Sequence, residues 1–165
     1  MKKHFLILCI LFSSNSLFAQ KYALGIQSSW PTHGISGKII MSEHHAGQAI
    51  FSLAGPYSSY TARYLYSLSP NEVNNELQYK PFFSSHLGLN AFKIDQISYN
   101  ANGQFIREKI TTTTFGYGLG AGVEINASSF EDLKLSTEIL YSITDVTGYN
   151  WSYLQLGIGL HYYFK

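Results

Sequence analysis

Three histidine-bearing stretches and one glycine run are the places where this sequence could carry chemistry. Ser84-Ser85-His86 offers a hydroxyl beside an imidazole. Hydrolytic use of such a pair needs the nucleophile within hydrogen-bond reach of the base, and a third group to hold the base. In an extended segment neighbouring residues face opposite ways, so Ser85 does not readily meet His86. Ser84 shares the face of His86 but has no surrounding motif, and no catalytic residue is assigned. Glu43-His44-His45 falls in a predicted turn, where adjacent side chains point apart, whereas a metal needs convergent ligands. It reads as a solvated turn, and neither a metal nor a cofactor is expected. Gly116 to Gly122 lacks the Lys-Ser/Thr of a phosphate loop and is not followed by a helical pattern. His86 and His161 both fall on the polar face of their segments. Histidine titrates near physiological pH, so the two would suit a proton-responsive pair. The reading taken here is that of packed polar residues.

The elements that must position these residues repeat with a period of two, the signature of strands. In Tyr153–Phe164 one face carries Leu154, Leu156, Ile158, Leu160, Tyr162 and Phe164, and the other carries Gly157, Gly159 and His161 among polar residues. In Thr111–Glu124 the residues Phe115, Tyr117, Leu119 and Val123 share a face, opposite four alternate glycines and Glu124. Such glycines weaken an ordinary strand. They fit a strand that curves around a narrow barrel and leaves room inside it. Further strands are predicted over 21–30, 34–41, 48–54, 60–68, 82–92 and 133–144, which brings the total to eight. The second and third are short for a membrane crossing, which takes ~9–11 residues. The orientation of 48–54 is open. Polar or Gly/Pro-containing breaks separate the strands, and only the break at 93–110 is long.

Residues 1–19 stand apart from this pattern. Lys2 and Lys3 precede the apolar run Phe5–Phe12, and Leu17-Phe18-Ala19 offers a small residue before Gln20. This is the layout of a secretory signal peptide, expected to be cleaved after Ala19 and to leave one domain, 20–165. Cleavage removes Cys9, so the mature chain would hold no disulfide and no thiol chemistry. It also leaves nine Lys and Arg against ten Asp and Glu, a balance with no basic run to suggest nucleic acid.

Aromatic residues make up 16% of the chain and charged residues only 13%. A soluble domain carries about twice that charge. Alternation alone also fits a soluble sandwich or a lipocalin-like carrier with its apolar face turned inward. The composition of the second face decides between them. It holds Lys38, Arg63, Glu124, Lys134 and Glu138 amid Gly, Ser, Thr, Gln and Asn, far fewer charges than a water-exposed surface bears. Charges of both signs among small polar residues suit a packed lumen, where buried charges need partners. Lys38 and Arg63 are expected to pair there with Glu124 and Glu138. Tyr22, Trp30, Tyr60, Tyr141 and Tyr162 on the apolar face fit interfacial girdles.

Gly157-Ile158-Gly159-Leu160-His161-Tyr162-Tyr163-Phe164 resembles the C-terminal β-signal of outer-membrane proteins. Together with Phe115-Gly116-Tyr117-Gly118-Leu119-Gly120-Ala121-Gly122-Val123-Glu124, it makes the mature chain similar to the small eight-stranded OmpA/OmpX-like class. Lys165 after the terminal aromatic and the short outer breaks depart from that pattern. The resemblance implies an all-β, eight-stranded, up-and-down antiparallel transmembrane barrel in the outer membrane. It also implies membrane lipid around the barrel and the barrel-assembly machinery as a reader of Leu160, Tyr162 and Phe164. The expected protein is monomeric and non-enzymatic, structural or in contact with small solutes or partners through 93–110. An eight-stranded barrel is nearly filled by side chains, so the name porin would overstate it. The lumen cluster to be located is Lys38, Arg63, His86, Glu124, Glu138 and His161. A lipocalin-like carrier and a lipid-modifying barrel enzyme are the alternatives.

Overall fold

The computed structural model describes residues 21–29, 32–54, 57–74, 76–99, 105–146 and 149–164. The expected signal peptide 1–19 lies outside the described residues, as do Trp30, Pro31, Gly55 and Lys165. Nine strands are present among the described residues: β1 (Lys21–Ser29), β2 (Thr32–Ile40), β3 (His45–Ala54), β4 (Tyr57–Ser67), β5 (Asn71–Asn74), β6 (Leu77–Tyr99), β7 (Phe105–Ala127), β8 (Leu133–Val146) and β9 (Tyr149–Phe164). All pairings are antiparallel. Eight strands form a closed wall, because β9 returns to β1 from Tyr22↔Phe164 to Ser29↔Gly157 and β4 pairs directly with β6. Closure removes the free edges that an open sheet would present. The ninth strand, β5, folds back on the first residues of β6 at the lower end, which also carries Lys21 and Phe164.

The period-two pattern sorts side chains as its composition requires. Leu156 on β9 is 71% exposed, whereas His161 five residues later is fully buried. The outer surface carries Leu24, Ile26, Ile35, Phe51, Tyr60, Leu87, Leu119 and Ile139 around the barrel. Tyr22, Tyr60, Tyr141 and Tyr162 stand on that surface as well. The inside holds Ser36, Lys38, Gln48, Arg63, Ser136 and Glu138, all buried. The apolar face therefore points outward, and the inward-facing arrangement of a lipocalin-like carrier does not hold. On β3, whose orientation the sequence left open, Gln48, Ile50 and Ser52 are buried while Phe51 is exposed.

Three expectations need correction. The second and third strands are not short, since they run for 9 and 10 residues. Each is extended by small or polar residues next to its turn (Thr32, His33, His45, Ala46, Gly47), which carry little periodic signal. The break between the predicted strands 60–68 and 82–92 contains β5. Most importantly, 93–110 is not a loop. β6 and β7 are 23 residues each and stay in register up to Tyr99↔Phe105, so only residues 100–104 lie outside the described strands. β4 ends against Phe92 and β8 reaches β7 only as far as Gly116, so the two strands continue beyond the wall as a ribbon. Pro81, which lacks a ladder donor, sits on β6 just beyond the last β4 pair, Ser67↔Phe82, where an edge position tolerates it.

Candidate functional site

The polar side chains of the lumen form the candidate site, and they are stacked at three heights. At mid-height, Arg63 Nη1 from β4 meets Glu138 Oε1 from β8 at 2.7 Å, with both side chains 2% exposed. Gln27 Nε2 donates to the same oxygen at 2.9 Å. Gln48 Nε2 donates to Ser36 Oγ at 2.6 Å, and His161 Nε2 lies 2.9 Å from that hydroxyl. Strands β1, β2, β3, β4, β8 and β9 are thus tied together across the interior. A buried ion pair adds little net stability, because desolvation offsets attraction, but removing one partner alone strands a charge.

Lower down, one carboxylate gathers three donors. Glu124 Oε2 accepts from Lys38 Nζ at 3.0 Å and from the Tyr163 hydroxyl at 2.6 Å, while Lys134 Nζ lies 3.3 Å from Oε1. Lys134 also sits 4.3 Å from the Tyr163 ring centroid, a cation–π contact. In the upper half, His86 Nε2 is 3.3 Å from Ser142 Oγ and Thr144 Oγ1 is 3.3 Å from the Tyr153 hydroxyl. A cavity of about 40 Å³ lies among Arg63, His86, Asn90, Ser142 and Tyr153. At 10–15 Å³ per site it has room for about three waters. The middle of the lumen is a packed polar plug.

The glycines of β7 and β9 make that plug fit. A Cβ at Gly120 would lie 2.6 Å from Leu140 Cδ2 and 2.7 Å from Ser84 Oγ. One at Gly157 would lie 2.6 Å from Glu138 Oε1. Large inward side chains on one strand are matched by missing ones on the next.

All six residues of the sequence-derived cluster face the lumen, and Lys38 joins Glu124 while Arg63 joins Glu138. His86 and His161 are not joined to one another by a hydrogen bond, since each has its own hydroxyl partner, Ser142 and Ser36. The sequence reading missed Gln27, Ser36, Gln48, Lys134 and Tyr163 as members. All five share the inward parity of the cluster, which was the available signal. Parity assigns a face but not a height, so it could not say which of them meet. His45 opens β3 rather than lying in a turn, and its Nδ1 bonds the Tyr64 hydroxyl. His44 Nδ1 lies 2.8 Å from the Ser67 carbonyl oxygen. Among the described residues no three His, Cys, Asp or Glu are grouped to hold a metal.

As for hydrolytic chemistry, the hydroxyl beside His86 is that of Ser142 and not that of Ser84, whose Oγ has no protein partner among the described residues. Nor does His86 Nδ1 have one, so nothing orients the imidazole as a base. Leu160, Tyr162 and Phe164 lie on the outer surface of β9, where Tyr162 and Phe164 stack edge to face at 5.2 Å.

No protein-family model matches this sequence, and neither does any curated protein. Solved structures do share its shape. The N-terminal β-barrel domain of Pseudomonas aeruginosa OprF is 11% identical, with a TM-score of 0.50 over 88% of this chain and 96% of that one. Neisserial surface protein A (NspA) is 17% identical, with a TM-score of 0.52 over 88% and 94%. The Yersinia pestis outer membrane protein Ail, in a phospholipid bilayer nanodisc, is 13% identical, with a TM-score of 0.36 over 88% and 98%. At such identities the first two likenesses bear on the fold, which is that of the eight-stranded outer-membrane barrels.

Proposed function

We propose that this chain is an integral protein of the bacterial outer membrane, without catalytic activity, that meets small solutes or partners through the β6–β7 ribbon. The observation that carries this reading is the inversion of the wall. Each of its eight strands exposes Leu, Ile, Phe or Tyr on the outside, and its interior is charged and hydrogen-bonded. Water would not support that outer surface, whereas hydrocarbon would. Backbone closure through β1 and β9 is what a spanning sheet requires, because lipid offers no hydrogen bonds to a free edge.

Lipid is then the principal partner, and one chain closes the wall by itself, as a monomer needs. Leu160, Tyr162 and Phe164 are the residues offered to the barrel-assembly machinery. The packed mid-lumen supports a structural or contacting role over free diffusion of large solutes. The isolated Ser142–His86 pair, with Nδ1 unheld, supports the absence of catalysis.

Separation of membrane fractions by density, followed by gels of boiled and unboiled samples, tests the reading. The chain should sediment with outer-membrane markers and migrate faster unboiled. A soluble chain that migrates identically both ways would overturn it. The mature N-terminus should begin at Gln20 by intact mass. A change in the cell's lipid profile on Ser142→Ala or His86→Ala would remove the non-enzymatic part.

A further inference from the structure

Below the plug, the lumen changes character. Ala46, Leu65 and Phe82 are buried together with Ile40 packed on them, an apolar cluster on an inner face otherwise made largely of polar residues and glycine. They line a cavity of about 390 Å³. That is nearly ten times the upper one and within the ~300–1,000 Å³ range of small-molecule sites. Water in this space finds polar partners at the rim, but the side formed by Ala46, Leu65 and Phe82 offers it none.

The rim is cationic. Lys21, Lys38, Lys80 and Lys134 line the cavity against two acids, Glu43 and Glu124. Lys38 and Lys134 already share Glu124. Lys80 Nζ instead donates to the neutral backbone carbonyl of Glu43, at 2.7 Å. A neighbouring recess containing Glu72, Glu76, Glu131 and Asp132 shares Lys21 and Lys134 with this cavity but not Lys80. Lys80 stands opposite Glu124 in the β6–β7 register but gives its hydrogen bond to the Glu43 carbonyl, and with four ammonium groups against two carboxylates the rim keeps a positive excess beside the apolar floor. Lys80 occupies the next inward position after Phe82 on β6, about 7 Å along the strand. Ala46 stands directly opposite Leu65 in the β3–β4 register. Head and floor are thus set one short molecule apart.

We propose that the lower lumen binds a small amphipathic anion, an alkyl carboxylate, with its chain on Ala46, Leu65 and Phe82 and its carboxylate on Lys80. The site requires only the folded barrel, so it stands or falls separately from the outer-membrane location. Carboxylate and ammonium form a charge-assisted pair, and the floor selects against anions without a chain.

The test uses the folded barrel in phosphatidylcholine nanodiscs, with methyl resonances of Ala46 and Leu65 followed by NMR. Octanoate should shift both resonances saturably. Octanol and acetate should each bind at least about tenfold more weakly, since each lacks one half of the recognition. Lys80→Gln should weaken octanoate by about tenfold and Lys80→Arg should retain it. Ser152→Ala, at the opposite end of the barrel on β9, should leave binding unchanged. Leu65→Phe, which fills the floor without altering charge, provides a second variant and should also weaken octanoate. Each variant is first checked for the unboiled gel shift. Shifts that rise without saturating, that octanol reproduces, or that Lys80→Gln and Leu65→Phe both leave intact would overturn the site.

Discussion

β6 and β7 each pass through two environments, and the contrast shows what sets the fold. From Phe82 to Phe92 on β6 and from Gly116 to Asn126 on β7, the strands have a paired neighbour on either side as part of the wall. Beyond Phe92 and before Gly116 each pairs with the other alone among the described strands. Within the wall their outward residues are Phe83, Leu87, Leu89, Phe115, Tyr117 and Leu119. In the ribbon the exposed residues include Lys93, Arg107, Lys109 and Thr111. The strand pairing continues in register, but both faces are now exposed, as at Lys109, Ile110 and Thr111, and the solvent implied for the ribbon is water. Two-stranded ribbons are marginal by themselves, and this one is held as the continuation of a closed wall. Charged residues along it discourage pairing with another chain's edge.

Five substitutions would break or sharpen this contrast, and folding equilibria in lipid or detergent measure them. The largest effect should come from Arg63→Ala, which leaves Glu138 buried with only Gln27 as donor and should cost about 3–5 kcal/mol. Pairing it with Glu138→Leu should recover most of that loss. If the double variant is no better than the single one, the plug is not held by this pair. Next, Leu156→Lys places a charge halfway along β9 on the outer face and should cost about 2–4 kcal/mol. An unchanged stability would mean that this face meets water. Gly157→Val presses a side chain onto Glu138 and should cost about 1–3 kcal/mol, or prevent the unboiled gel shift. The smallest effect belongs to the ribbon. Thr111→Glu adds a charge to an exposed position of β7 opposite Lys93, yet should alter stability by less than about 0.5 kcal/mol. A cost similar to that of Leu156→Lys would place lipid well above Phe115.

Most of the wall was legible because alternation over Tyr153–Phe164, Tyr60–Leu68 and Leu133–Thr144 is long and continuous. The inward face of Lys38, Arg63, Glu124 and Glu138 followed from the same parity. Elsewhere the signal was diluted. In β2 and β3 small residues near the turn carry little hydrophobic contrast, so both strands looked short. In 93–110 polar exposed residues such as Lys93, Arg107 and Lys109 are mixed with exposed Phe105 and Ile110, so a hydrophobic pattern finds no clean alternation there. That is why a ribbon read as a loop. The pairing of the isolated β5 with β6 spans four residues, too few for any period.

The sequence by itself determined that this is an alternating, charge-poor β chain with two faces of opposite character, since side-chain direction along a strand depends only on residue parity. The tertiary structure decided the rest. It turned the apolar face outward, because the charged and hydrogen-bonding side chains of the other face meet their partners only inside the closed wall. It set Glu124 between Lys38 and Lys134, and Glu138 against Arg63 and Gln27, because the height of each side chain depends on register between strands distant in the chain. It also left an apolar-floored cavity beside Lys80, which arises from residues on strands whose separation in sequence hides their proximity.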